Sequence, residues 1–314
     1  MVLEYEVRRY EDADAKVWND FVAHSRQGTF LFDRRYMDYH HDRFHDYSLM
    51  IYHHGQLVAL LPANAEGHTL WSHQGLTYGG LLTSCHATAS EVCNIFQSIN
   101  HHLTLQSFNH VIYKAVPWIY HRIPSEEDLY ALINVCEARI RCRHVSSTLT
   151  LQRLKFTESR RSGIRKAQHT GIRVGESNDL AAFWHILEDN LMQRYGVHPV
   201  HNLSEIQLLQ SRFPRNIKLY MSYLDDTPLA GTLIYETAQV VHTQYISASP
   251  QGKSYGALDI LFDNLLHTVY ASVPYFDFGK SSNGDGHDLN RNLIFQKEGF
   301  GGRSVCYDWY EYDL

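Results

Sequence analysis

The residues best spaced for chemistry lie in and just after the stretch Gln239 to Tyr270, QVVHTQYISASPQGKSYGALDILFDNLLHTVY. Gln251, Gly252, Lys253, Ser254, Tyr255, Gly256 and Ala257 stand between a run of β-formers and an apolar stripe at helical spacing. A strand that feeds a glycine turn into a helix leaves backbone N–H groups free at the positive end of the helix dipole, where an anion can sit. The expected ligand carries phosphate, and glycine at 256 keeps room for it. Neither G-x-x-x-x-G-K-[ST] nor G-x-G-x-x-G is present, and an ordinary strand–turn–helix connection reads the same way.

Asp277 follows, close to the end of the next β-type run, where α/β sheets present their ligand-contacting side chains. It is the best-placed carboxylate for a general base, although a buried aspartate bonded to backbone amides would give the same pattern. Tyr245 and Tyr255 are candidate proton donors, but with 21 tyrosines in the chain most must serve packing. The 21 histidines do not form chelating sets. The pairs His40-His41, His53-His54 and His101-His102 are sequence neighbours that diverge on either a strand or a helix, and no H-E-x-x-H or Cys/His spacing occurs, so no metal is expected.

The elements that position these groups fall into two halves. In the first, Asp14 to His24 reads as a short helix carrying Trp18, Phe21 and Val22, and a hairpin spans Tyr47 to Leu61 around His53-His54-Gly55-Gln56. A long helix spans Ala87 to Phe108, His110 to Val116 forms a strand, and Ser125 caps a further helix with Asp128 in the capping-box position. In the second half, Ile217 to Leu224 and Leu229 to Tyr235 form a hairpin around Asp225-Asp226-Thr227. Overlaying the hairpins matches Tyr52 with Tyr223, Val58 with Leu229 and Ala59 with Ala230. This self-similarity points to duplication of one α/β unit, with the junction in a strand near Arg143 to Thr150.

The chain of 314 residues is long enough for two domains, and 44% apolar residues can fill two cores. Its apolar runs are too short to cross a membrane, and the charged start, Met1 to Tyr10, does not read as a signal peptide. Five cysteines without C-x-x-C spacing fit a reducing cytoplasm. The formal charge of −6 argues against a protein built mainly to hold a nucleic-acid backbone.

Gln251 to Gly256 resembles the Q/R-x-x-G-x-G/A pyrophosphate loop of GCN5-related N-acetyltransferases (GNAT), with Ser254 in place of the first glycine. WNDFVAHSRQGTFLFDRRYMDY from Trp18, RSGIRKAQHTGIRV from Arg161, YFDFG from Tyr275 and QKEGFGG from Gln296 resemble, in order, elements of the FemAB-like proteins, tandem acetyltransferase-fold relatives that branch peptidoglycan. Gly163 stands where asparagine is usual.

The resemblance implies an α/β (α+β) fold of two tandem GNAT-like domains, each a mixed twisted sheet flanked by helices. Residues 1–145 form a degenerate, acceptor-side domain, and residues 146–314 carry the acyl-donor loop 251–257. The implied activity is N-acyl transfer from acyl-CoA to an amine of a small or cell-wall-related acceptor. The other implied readings are aminoacyl transfer from tRNA to a peptidoglycan precursor and a non-catalytic ligand-binding fold. Lys297 would meet donor phosphate, Asp277 would deprotonate the amine, and Tyr245 or Tyr255 would protonate the leaving thiolate. His40 falls where the family has an acceptor-side lysine, and Arg161 and Arg165 would grip an anionic acceptor.

Overall fold

A computed structural model of the chain describes residues 4–284 and 286–314. The chain packs as two compact units. The first holds the residues up to His144 together with Gly284–Asp288 and Cys306–Leu314, and the second holds Val145–Asn283 and Leu289–Val305. Strand Arg139–Thr150 belongs to the first unit up to His144 and to the second from Val145. The last strand, Arg303–Asp313, is counted mostly with the first unit, so neither unit is one uninterrupted stretch of chain.

In the first unit, helix Ala15–His24 buries Trp18 and Val22, and the Trp18 indole donates to the Phe32 carbonyl at 2.8 Å. Helix Ala89–Leu105 starts at a capping box in which Thr88 and Glu91 exchange bonds. It packs Val92, Ile95, Phe96, Ile99 and Leu103 against Leu49, Ile51 and Leu61 of the hairpin. The expected capping role of Ser125 and Asp128 is not what forms. Helix Glu127–Asn134 begins after Glu126, Ser125 Oγ donates to the Ile123 carbonyl, and half-buried Asp128 instead accepts from the Tyr113 hydroxyl at 2.5 Å.

The two hairpins share a defect. In Leu49–His53 with Gln56–Leu61, Ile51 pairs with Ala59 and Tyr52 with Leu57, which leaves Val58 without a register partner. In Ile217–Leu224 with Thr227–Glu236, Ser222 pairs with Ala230 and Tyr223 with Pro228, which leaves out Leu229. One extra residue at the same place in both hairpins bends both strands alike, and a bulge is a feature that copies of one unit retain. Each unit also contains a parallel pair among the described residues: Thr69–Trp71 with His110–Lys114, and Val240–Ala248 with Tyr275–Lys280. The fold is thus two tandem α/β units, each with mixed strand pairing and flanking helices.

The sheet of the second unit runs Arg173–Ser177, Ile217–Leu224, Thr227–Glu236, Val240–Ala248, Tyr275–Lys280 and the end of Arg139–Thr150. Helix Ala257–Asn264 covers one face, where Leu261 and Phe262 pack with Ile234, Val241, Phe276 and Phe278. Helix Glu158–Thr170 lies beside it and adds Ile164 to the same cluster. On the opposite face lies helix Leu180–Tyr195: a side chain at Gly231 would meet Phe183, and the Trp184 ring stands edge-on to Tyr245 at 5.2 Å.

Candidate active site

The site is built where two parallel strands part. Val240 pairs with Tyr275, Val241 with Phe276 and His242 with Asp277, and the pairing stops there. Strand Val240–Ala248 continues with an open edge on that side, while Tyr275–Lys280 goes on pairing, through Lys280, with Ser146. The sheet therefore divides directly after the His242–Asp277 pair. Val241 is in the core under helix Ala257–Asn264, so His242, the next residue along the strand, projects to the other face.

His242 Nδ1 lies 2.8 Å from Asp277 Oδ2. The other carboxylate oxygen, Oδ1, accepts from Thr148 Oγ1 at 2.8 Å and from Ser146 Oγ. Asp277 is fully buried, at 0% exposure, so these donors hold its charge where water does not reach. An ionised carboxylate only accepts, so toward Asp277 it is Nδ1 that donates, and Nε2 is the ring nitrogen left to take up a proton. A side chain at Gly279 would stand 3.1 Å from Cε1 and 3.7 Å from Nε2 of His242. Glycine there, at a φ of 74°, leaves that edge of the imidazole uncovered.

Tyr245 shares the His242 face because of a second bulge. Ile234 pairs with Thr243 and Leu233 with Tyr245, so Gln244 is skipped and the alternation of faces shifts by one residue. The Tyr245 hydroxyl is held by the ring Nδ1 of His201 at 2.7 Å and by its backbone N–H at 3.3 Å. Burial pushes its pKa up to about 12. So raised, the hydroxyl is a weaker acid than a free tyrosine.

The glycine turn is a correction. Residues Pro250–Tyr255 are helical, with Ser249 as N-cap and proline in the first turn. Ser249 Oγ takes the Gly252 N–H at 3.0 Å, and the Ser249 carbonyl takes that of Lys253 at 2.9 Å, so two amides expected to hold phosphate are already bonded. Ser254 is exposed on this helix and donates to the Gln251 carbonyl. Lys253 Nζ bonds Asn190 Oδ1, and Gln251 points to solvent. Gly252 and Gly256 are small because protein lies against them: added side chains would meet the Leu229 carbonyl oxygen at 2.2 Å and that of Gly163 at 2.4 Å. Tyr255 and Ala257 pack around Leu229 and Ala230, and the Ala257 carbonyl accepts from Ser222.

Lys297 is not at a surface where it could meet donor phosphate. It is buried, and its Nζ donates to the Gly279 and Lys280 carbonyls at 2.7 and 2.9 Å, fixing the positive-φ turn beside His242. Arg161 and Arg165 lie on helix Glu158–Thr170, over the sheet face opposite His242, and both pair with Glu158. His40 belongs to the first unit and is buried at 2% exposure among Tyr39, Phe44 and His73, so it offers no surface to an acceptor. No group of His, Cys, Asp and Glu among the described residues is arranged to hold a metal ion. Among the same residues, no helix is long and apolar enough to cross a membrane.

The element that sequence reasoning missed is His242, with its supports Ser146 and Thr148. The available signal was a histidine directly after Val240 and Val241 in a β run, one strand away from the D-F-G aspartate.

Residues 155–287 match the family model described as an acetyltransferase (GNAT) domain. The fold is similar to that of FemX, with a TM-score of 0.69 and 10% identity over 98% of this chain and 97% of that one. It is similar also to L-PGS from Bacillus licheniformis, with a TM-score of 0.62 and 11% identity over 97% and 92% of the two chains. A tandem GNAT protein from the clavulanic acid biosynthesis pathway gives a TM-score of 0.50 and 12% identity over 99% and 98%. At such identities the fold is what is shared. No curated protein matches the chain in sequence.

Proposed function

We propose that the chain, whose residues 155–287 match a GNAT domain and whose fold resembles tandem GNAT and FemX structures, is an acyltransferase that moves an acyl group from acyl-CoA to the amine of a small acceptor, with His242 as general base. The observation that carries this reading is the His242–Asp277 bond at the last paired position of two parting strands. The thioester would enter beside the unpaired edge of residues 243–248, where those backbone N–H groups that face away from strand Thr227–Glu236 can meet the charge that develops on the acyl oxygen. His242 Nε2 accepts the proton as the amine nitrogen bonds to the carbonyl carbon. The C–S bond then breaks, and the thiolate leaves as such or takes the proton back from the imidazolium. Asp277 stabilises that imidazolium and fixes the ring.

The first unit supports the division of labour. At the corresponding register of its own parallel pair stand Trp71 and Ile112, which can neither accept nor donate a catalytic proton. The chemistry is therefore assigned to the second unit, and residues 1–145 act as the degenerate copy.

The resemblance to FemAB-like proteins keeps aminoacyl-tRNA as the second candidate donor. Both donors are tested by incubating the protein with acetyl-CoA or aminoacyl-tRNA and a panel of amines, including cell-wall precursors, and following free thiol or labelled product. The expected result is acyl-CoA-dependent transfer that falls about 10²- to 10⁴-fold in kcat for His242→Gln, with CoA binding retained. Full activity in that variant would overturn the assignment of the base. Transfer from tRNA alone, weakening steeply with salt, would overturn the donor.

A further inference from the structure

On the other side of the same sheet lies a pocket of about 450 Å³ that the proposed reaction does not use. Phe156 and Ile164 in its wall belong to the apolar cluster around Leu261 and Phe262, on the Val241 side of the sheet, whereas His242 projects to the opposite side. The remaining walls come from residues 153–155, from Arg161 and Arg165, and from Asp263 and His267, which lie at the C-terminal end of helix Ala257–Asn264 and just beyond it. That end leads back to the start of strand Tyr275–Lys280, away from the place where the strands part.

The charges in this pocket do not balance within the protein. Asp263 is matched by His267 at 2.9 Å, and Arg161 and Arg165 share Glu158 at 2.9 and 2.5 Å. Arg153 Nη2 donates to the Tyr270 carbonyl at 2.6 Å, while its Nε is buried without a hydrogen-bond partner. Burial alone pulls the Arg153 guanidinium below its usual range, and no nearby carboxylate offsets the cost. A partly desolvated guanidinium with no carboxylate partner among the described residues is an incomplete ion pair, because arginine cannot shed its charge and its planar fork suits carboxylate or phosphate. Beside it Leu154 is 47% exposed, an apolar surface next to the cation.

We propose that this pocket binds a small organic anion with an apolar arm: a carboxylate or phosphate head on Arg153, and an aliphatic body over Leu154, Phe156 and Ile164. The volume suits a small molecule. Arg161 and Arg165 surround the head with positive charge, and Asp263, hydrogen-bonded to His267, marks the polar rim. The two sources of this chemistry are a fatty-acid-like carboxylate and an alkyl phosphate ester.

Calorimetric titration of the full chain with octanoate and, separately, with octyl phosphate tests the proposal and distinguishes the two heads. Saturable binding at one site per chain by at least one probe is expected. Affinity should weaken at least tenfold in Arg153→Gln and in Leu154→Asp, and stay unchanged in His242→Gln. Leu154 is exposed, so its variant keeps the test informative if Arg153→Gln does not fold. Absence of binding by both probes, or equal affinity in Leu154→Asp, would overturn the proposal. Loss of binding in His242→Gln with Leu154→Asp unaffected would place the ligand in the cleft and also overturn it. These outcomes are independent of whether acyl transfer is observed.

Discussion

Gly256 and Gly163 meet backbone to backbone: a side chain built on Gly256 would stand 2.4 Å from the Gly163 carbonyl oxygen and 3.0 Å from its Cα. Gly163 is equally closed, since its own Cβ would lie 1.9 Å from Asp259 Oδ2. Arg160 bonds the other oxygen of that carboxylate at 2.6 Å, so helices Glu158–Thr170 and Ala257–Asn264 are joined by two glycines and one ion pair.

Gly256→Val is therefore expected to lower fold stability. The left-handed φ of 75° opposes any L side chain, by about 1 to 2 kcal/mol, and the clash with the neighbouring helix adds about 1 to 3 kcal/mol. Urea unfolding of wild type and variant measures the sum. A variant as stable as wild type would mean that the helices do not meet through this glycine.

Asp277→Asn tests the site without changing its size. The carboxylate accepts from Ser146, Thr148 and His242, whereas an amide turns an NH2 group toward at least one of those donors. Expected are a loss of about 1 to 3 kcal/mol in stability and, if His242 is the base, a fall of 10² or more in kcat. The kinetic arm separates the roles: a variant that loses stability but keeps its kcat and pH–rate profile would leave Asp277 a purely structural residue.

Arg34 gives a prediction for the first unit. Its buried guanidinium bonds Asp46 at 3.0 Å and Asp38 at 2.5 Å and stacks over Tyr10 at 3.8 Å. Lysine cannot reproduce the fork or the stacking. Arg34→Met leaves the partly exposed Asp46 and Asp38 short of their charge partner and should cost about 1 to 3 kcal/mol, with Arg34→Lys intermediate. Thermal unfolding of the pair checks the order; equal stability of the lysine variant and wild type would refute the geometric argument.

The hairpins were legible because alternation and turn residues are local. The match of Val58 with Leu229 rests on side-chain pattern alone, and the bulges put both residues at the same register break. The site was less legible, because His242 gains its meaning from Asp277, 35 residues away, through a parallel pairing that no local pattern encodes. The misreading at Gln251 to Ala257 has a different origin. Ser249 followed by Pro250 is a helix-start signal, and it outweighs the two glycines, whose small size answers to Leu229 and Gly163. Lys297 misled because a lysine is ordinarily a surface residue, and only the fold shows two carbonyls waiting for it.

Lys297 carries the sharpest pH dependence. Burial lowers its ammonium from 10.5 to about 8, against a smaller opposing effect of Asp277. Below pH 8 both folded and unfolded chains hold the proton, and the fold bears the full cost of a desolvated cation. Between about 8 and 10.5 the unfolded chain binds more protons than the folded one, so stability rises with pH; above that window the gain is complete. A shift of this size corresponds to about 3 kcal/mol. The neutral amine still has two N–H groups for the Gly279 and Lys280 carbonyls, so deprotonation need not break the turn. The expected outcome is that wild type gains up to about 3 kcal/mol relative to Lys297→Met between pH 7.5 and 10.5, measured by urea unfolding at matched ionic strength. A difference that stays flat across this range, or that falls, would show that the lysine is not desolvated in the folded chain.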